Sequence, residues 1–192
     1  HRRTACGASG ARGAAMTPRM SRAALLTVAG LGLAALCAPA LVQPSARIVY
    51  NPSASVARGW YRIAPLASPD SLHVGSIVLV RLPAGVAAFA AQRGYLLAGV
   101  PILKRVGAVA PQPVCVRGRT VQVDGAAVAT ALAHDGAHRP LQPWAPCRAL
   151  AEGELFLLSD THPASFDSRY FGPVDASAVL GVARPLWTWG AP

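Results

Sequence analysis

Between Ala23 and Val42 the chain reads AALLTVAGLGLAALCAPALV, twenty residues without a charge. As a helix rising roughly 1.5 Å per residue, that stretch spans about 30 Å, the thickness of a bilayer's hydrocarbon core. Arg19 and Arg22 stand directly before it. By the positive-inside rule they hold the N-terminus in the cytoplasm and send the rest of the chain across. The stretch ends in Ala38-Pro39-Ala40, a small-residue site of the kind at which a secretory signal is cut, so a cleaved signal is the alternative to the retained anchor favoured here. Residues 1–15 carry no hydrophobic periodicity, and Met16 and Met20 are better placed as starts for such a segment. Residues 1–22 are therefore read as a basic flank whose first fifteen residues need not be natural protein.

The remainder is apolar and poor in charge, 53% hydrophobic against 14% charged over 192 residues. That composition excludes disorder and gives length for one sizeable core. The formal charge is +10, yet Arg2, Arg3, Arg12, Arg19 and Arg22 supply half of it from a flank without an acid. The other arginines are scattered singly, not clustered with aromatic or glycine-rich interleaving, so a nucleic-acid partner is not expected.

After residue 45 come short β-branched runs separated by Gly, Pro and Asp, the spacing of an all-β domain. Strands are expected at Ile48–Tyr50, Trp60–Ile63, Ile77–Leu82, Ile102–Val109, Val114–Val116, Thr120–Val123, Ala126–Ala129, Leu155–Leu158 and Val179–Ala183. Asp124-Gly125 reads as a tight hairpin between two of them. Val86–Arg93, closed by Gly94, is the one short helix. Residues 133–147, with Pro140, Pro143 and Pro146, read as an irregular excursion within an insert at about 112–150 of a single domain, 45–192. In an exported domain Cys115 and Cys147 are candidates for a disulfide. Zinc, using His134 and His138 between them, and free thiols are the alternatives. Trp187 and Trp189 are either core aromatics or residues that dip into the membrane interface.

One bias in the composition points at a site: of 18 basic residues, only Lys104 is a lysine. An ammonium loses its proton when desolvated, whereas a guanidinium stays charged. Lys104 lies in the apolar run Pro-Ile-Leu-Lys-Arg-Val, where Ile102 and Val106 share its face, and burial there would depress its pKa and make it a general base. A surface lysine beside Arg105 is the plain alternative. A lysine base needs a nucleophile, and Asn51-Pro52-Ser53-Ala54-Ser55 offers two hydroxyls two residues apart, on one side of an extended segment. Taken alone, Ser-x-Ser is also an ordinary polar turn. None of His73, His134, His138 or His162 lies in the context of a Ser-His-Asp triad, His162 near Asp160 being the nearest miss. No cofactor or metal is implied.

A third run, Ser-Phe-Asp-Ser-Arg-Tyr-Phe-Gly from Ser165 to Gly172, joins the Asn-Pro-Ser-Ala-Ser-x-x-Arg-Gly-Trp-Tyr run from Asn51 and the run around Lys104. In this order the three resemble the signal peptidase I family of serine–lysine endopeptidases, and within it the branch that serves conjugative plasmid transfer. The resemblance covers about residues 45–185. It implies an all-β fold, a coiled antiparallel β-sheet peptidase domain with a small inserted β subdomain behind an N-terminal transmembrane helix. It also implies Ser55 as nucleophile, Lys104 as general base, and Ser53 as oxyanion donor beside the Ser55 N–H. Ser165 would orient the Lys104 amine, with Asp167 and Arg169 as a buried ion pair. The sequence departs from the family pattern at Ala57, where proline is usual, and at Ser159-Asp160-Thr161, which replaces Gly-Asp-Asn and leaves the role of Asp160 open.

The expectation is a single-pass protein of the bacterial inner membrane with its catalytic domain on the periplasmic side, cutting exported or pilin-like precursors after small residues. Its partners would be the precursor, the lipid bilayer and conjugation or secretion machinery. General signal peptidase activity, or a non-catalytic assembly factor that keeps the fold, are the alternatives.

Overall fold

The computed structural model describes residues 21–41, 47–68, 71–159 and 161–189. The chain divides into two units, His1–Gln43 and Pro44–Pro192. The first contains helix α1 (Arg22–Leu41), which the uncharged run predicts. Ser21 caps it by accepting the Ala24 N–H at 3.2 Å. Among the described residues no helix is long and apolar enough to cross a membrane.

The second unit is mostly β, and all of its pairings are antiparallel. Its strands are β1 (Arg47–Asn51), β2 (Arg58–Ala64), β3 (Ile77–Val80), β4 (Ile102–Val109), β5 (Pro113–Arg117), β6 (Thr120–Val123), β7 (Ala126–Thr130), β8 (Cys147–Ala149), β9 (Glu154–Leu158), β10 (Val174–Asp175) and β11 (Val179–Trp189). A seven-stranded sheet runs β1-β2-β11-β3-β4-β9-β10, and a four-stranded sheet runs β7-β6-β5-β8. Among the described residues two α-helices, α2 (Ala84–Gln92) and the single turn α3 (Ser168–Phe171), and a 3-10 turn at Ala176–Ala178 complete the unit.

Alternation decides which side chains face inward. In β2 Arg58, Trp60 and Arg62 are exposed while Gly59, Tyr61 and Ile63 are buried. The run Ile77-Val78-Leu79-Val80 has no such alternation because both of its faces are covered. Val78 and Val80 join Val106, Leu155 and Leu157 in one cluster, packed against Val86 and Ala87 of α2. Leu79 joins Val56, Tyr61, Ile63 and Leu103 in another. A third cluster, with Val114, Val121 and Phe156, fastens the small sheet to the large one. Burying a side chain of this size contributes about 1.5–3 kcal/mol.

Every predicted strand forms, Ile102–Val109 and Thr120–Val123 with the expected bounds and the others with shifted ends. β3 stops at Val80, two residues short of the expected Leu82. β11 runs past Ala183 to Trp189, carrying Pro185 across a register shift between Pro185 and Trp187. A proline at such an irregularity removes no ladder hydrogen bond. The Asp124-Gly125 hairpin forms with both residues at positive φ, 51° and 80°, and Val123 facing Ala126. The predicted helix begins two residues earlier, at Ala84 behind Pro83, which pre-sets the helical entry. β8, β10 and α3 have no counterpart in the sequence reading. All three are too short for periodicity to register, and β8 exists because it pairs with β5.

That pairing sets Cys147 opposite Cys115, and the two form a disulfide. The thiols are thus committed to each other, which removes the zinc alternative. Trp187 and Trp189 are exposed, so they are not core residues.

Gly59 lets β2 and β11 approach. Its φ is +145°, and a Cβ there would overlap the Trp187 carbonyl oxygen and come within 2.7 Å of Thr188 Cα. Gly59→Ala is therefore expected to destabilise the fold by about 3 kcal/mol, or roughly 10 °C in Tm. Thermal unfolding followed by circular dichroism checks this; an unchanged Tm would show that the two strands can part without loss.

Candidate active site

Three segments that are distant in sequence meet on one side of the large sheet: the β1–β2 turn, the middle of β4, and the loop that leads from β9 to α3. Lys104 extends from β4 opposite Val78, between Ile102 and Val106, and is 2% exposed. Its Nζ lies 2.9 Å from Ser55 Oγ and is hydrogen-bonded to Ser165 Oγ. The two hydroxyl oxygens are 3.1 Å apart, so amine, Ser55 and Ser165 form a closed triangle. Burial pushes the Lys104 pKa down from 10.5 to about 8, with the Asp167 charge opposing the shift and the Arg169 charge adding to it. Desolvation wins because the two charges act in opposite directions on the same amine.

The expected pair is present. Asp167 and Arg169 are almost fully buried. Arg169 Nε donates to Asp167 Oδ1 at 2.7 Å and NH2 to Oδ2 at 2.9 Å. The remaining guanidinium donors reach the carbonyls of Thr130, Pro163 and Ser165 at 2.7–2.9 Å. Asp167 also accepts the Ser159 N–H at 3.0 Å and caps α3 through the Arg169 N–H. Among the described residues no buried side-chain polar atom lacks a partner.

Ser53 Oγ lies 3.4 Å from Ser55 Oγ but donates at 2.8 Å to Asn51 Oδ1. Asn51 has no role in the sequence reading. It is buried, accepts the Ser53 N–H, and donates through Nδ2 to the carbonyls of Ser53, Val56 and Ala57. The Tyr61 hydroxyl also reaches Ala57 O, at 2.6 Å. The available signal was Asn before Pro, a pair that favours turns in which the amide bonds its own backbone. Ser159 and Thr161 were visible as departures from the family pattern without a task. Their hydroxyls donate to the carbonyls of Ser55 and Ala54, respectively.

His162 lines the cleft, and its N–H and C=O bond within the loop. Asp160 lies outside the described residues. His134 and His138 sit in the excursion, His134 bridged to Pro140. The cleft over Ser55 has a volume of about 660 Å³ and is walled by Val49, Leu79, Ile102, Leu103, Ala164 and Phe166. Among the described residues no cluster of side chains could hold a metal ion.

Comparison with known proteins identifies the family. The family model described as signal peptidase, peptidase S26, matches residues 20–189. A probable conjugal transfer protein TraF of Sinorhizobium fredii is 37% identical over 174 residues, covering 83% of this chain and 89% of its own. The plasmid transfer protein TraF of Escherichia coli is 31% identical over 181 residues, covering 89% and 99%. The conjugal transfer protein TraF of Agrobacterium fabrum is 36% identical over 175 residues, covering 85% and 94%. Among solved structures, a signal peptidase I from Enterococcus faecalis is 21% identical, with a TM-score of 0.37, covering 58% of this chain and 96% of its own. This chain belongs to the signal peptidase S26 family.

Asn51→Ala would leave the carbonyls of Ser53 and Val56 and the Ser53 N–H without their partner, the Ala57 carbonyl keeping the Tyr61 hydroxyl. An expected loss of about 3 kcal/mol follows from the cost of unsatisfied buried groups. Urea unfolding of the variant measures it, and a midpoint equal to the wild type would remove Asn51 from the framework of the turn.

Proposed function

We propose that this chain is a membrane-anchored serine endopeptidase in which Ser55 attacks and Lys104 is the base, acting on exported precursor proteins in conjugative transfer. The observation that carries the reading is a desolvated lysine amine 2.9 Å from a serine hydroxyl, at the floor of an apolar cleft.

Ser55 Oγ attacks the scissile carbonyl carbon while its proton passes to the neutral Lys104 amine. The carbonyl oxygen becomes an oxyanion, received by the Ser55 N–H and by the Ser53 hydroxyl once that hydroxyl turns from Asn51. Lys104, now an ammonium, gives its proton to the leaving amine, and an acyl ester remains on Ser55. Lys104 then takes a proton from water, whose oxygen attacks the ester, and returns that proton to Ser55 Oγ as the acyl group leaves as the carboxylic product, so that serine and neutral amine are both restored. Ser165 keeps the amine on the Ser55 side throughout, and the buried ion pair shapes the loop that carries Ser165.

An extended peptide is the fitting substrate, because among the described residues β1 is an edge of the large sheet and offers an unpaired backbone beside Ser55. The walls of the cleft suit small apolar side chains next to the cut. Anchoring through residues 23–42, with the β unit on the periplasmic side of the inner membrane, rests on the uncharged run behind Arg19 and Arg22. The conjugation setting comes from the relatives' names.

The test uses the full-length chain in detergent with an unbiased library of extended peptides, read by mass spectrometry. The wild type should cleave. Ser55→Ala and Lys104→Arg should not, since a guanidinium keeps the charge but does not accept the serine proton at accessible pH. Ser53→Ala should retain activity lowered by about 10²–10³-fold. A Lys104→Arg enzyme that cleaves like the wild type, or a wild type that leaves the library intact, would return the chain to a non-catalytic assembly role.

The depressed amine also sets the pH profile. Only the neutral amine accepts a proton, so kcat/KM should rise with pH to a midpoint near 8. On the acid side it should fall by about tenfold per pH unit. A flat profile between pH 6 and about 9 would exclude an amine base.

A further inference from the structure

In the β1–β2 turn, five consecutive carbonyls accept hydrogen bonds from side chains. Asn51 holds those of Ser53, Val56 and Ala57, Thr161 holds that of Ala54, and Ser159 holds that of Ser55 at 2.8 Å. The two peptide planes that meet at Ser55 are thus gripped from one loop, whose hydroxyls stand two residues apart. That loop is itself fixed by the buried pair: Ser159 N–H donates to Asp167, and Arg169 donates to the carbonyls of Pro163 and Ser165. Among the described residues the Ser55 N–H donates to no protein acceptor.

In a trans peptide the C=O and N–H point in opposite directions. Fixing the Ala54 oxygen toward Thr161 therefore fixes the Ser55 N–H on the opposite side of the same plane. We propose that Thr161 and Ser159 are positioning residues that clamp the peptides on either side of Ser55 and aim the Ser55 N–H at the developing oxyanion. The inference rests on the serine–lysine reading above and deepens it by giving the two departures from the family pattern a task. Neither hydroxyl touches the amine, so both act through the backbone alone.

The experiment compares Thr161→Val, Ser159→Ala and Thr161→Ser with the wild type and Ser55→Ala. All are full-length chains in detergent, acting on the library peptide that the wild type cuts fastest. Thr161→Val keeps the shape and deletes the donor. It should lower kcat by roughly ten- to a hundredfold, less than outright loss of an oxyanion donor. KM should stay within about twofold, since the ground state does not use the N–H. The acid-side midpoint should remain near 8, because the surroundings of Lys104 are untouched. Thr161→Ser should restore kcat, and Ser159→Ala should repeat the kcat loss on its own, which keeps the test open if Thr161→Val fails to fold. Wild-type kcat in both Thr161→Val and Ser159→Ala, a loss confined to KM, a moved midpoint, or a Thr161→Ser as slow as Thr161→Val would overturn the clamp. With Ser55→Ala inactive, the serine–lysine reading survives any of these. Cleavage by Ser55→Ala at the wild-type rate would remove that reading and the clamp with it.

Discussion

The buried pair Asp167–Arg169 holds together elements that the chain order keeps apart. Two charges taken out of water are costly, and their mutual attraction compensates only when geometry is good and every remaining donor and acceptor is met. Here the guanidinium is bidentate on the carboxylate and spends its other protons on three carbonyls, while the carboxylate takes two further backbone N–H groups. One of those carbonyls, Thr130, closes β7 of the small sheet, and the others belong to the loop beside Ser55. Such a pair adds little to net stability, yet it makes one arrangement of loop, sheet and α3 far better than its neighbours. Losing either member would strand a buried charge at about 3–5 kcal/mol.

The same loop explains how a lysine stays buried. Flanking valine and isoleucine exclude water from the amine, and the hydroxyls of Ser55 and Ser165 take the hydrogen bonds that water would have made. An amine so placed is half neutral at about pH 8, lowered chiefly by desolvation, without any nearby cation strong enough to dominate it. Burial therefore both lowers the amine's pKa and keeps it against the Ser55 hydroxyl.

Rigidity around Ser55 comes from the turn that carries it. Backbone groups in a tight turn cannot find partners in a ladder, and the carbonyls of residues 53–57 are met instead by Asn51, Tyr61, Ser159 and Thr161. Donors fixed before the reaction cost no reorganisation when charge appears, which is the basis of electrostatic preorganisation.

How much of this was legible follows from the range of each interaction. The strands, the hairpin at Asp124-Gly125 and helix α2 were readable, because alternation and turn chemistry are local. So was the likelihood that a sole lysine among arginines, in an apolar strand, has a task that arginine cannot perform. The resemblance supplied Ser165, Asp167 and Arg169. Asn51 carried a local signal, Asn before Pro, because its partners lie two to six residues away, whereas Ser159 and Thr161 gave none for their partners, which lie 104 and 107 residues away. β8 and β10 exist only by pairing with strands already in place. The sequence by itself determined most of the strands and singled out Lys104 and the Ser53–Ser55 pair as candidates, since pattern and side-chain type are properties of short segments. Tertiary structure alone decided that Lys104 is buried, that its amine meets Ser55 and Ser165, and that two loop hydroxyls reach the carbonyls of Ala54 and Ser55, because solvent exclusion and contact arise only when distant segments close on one another.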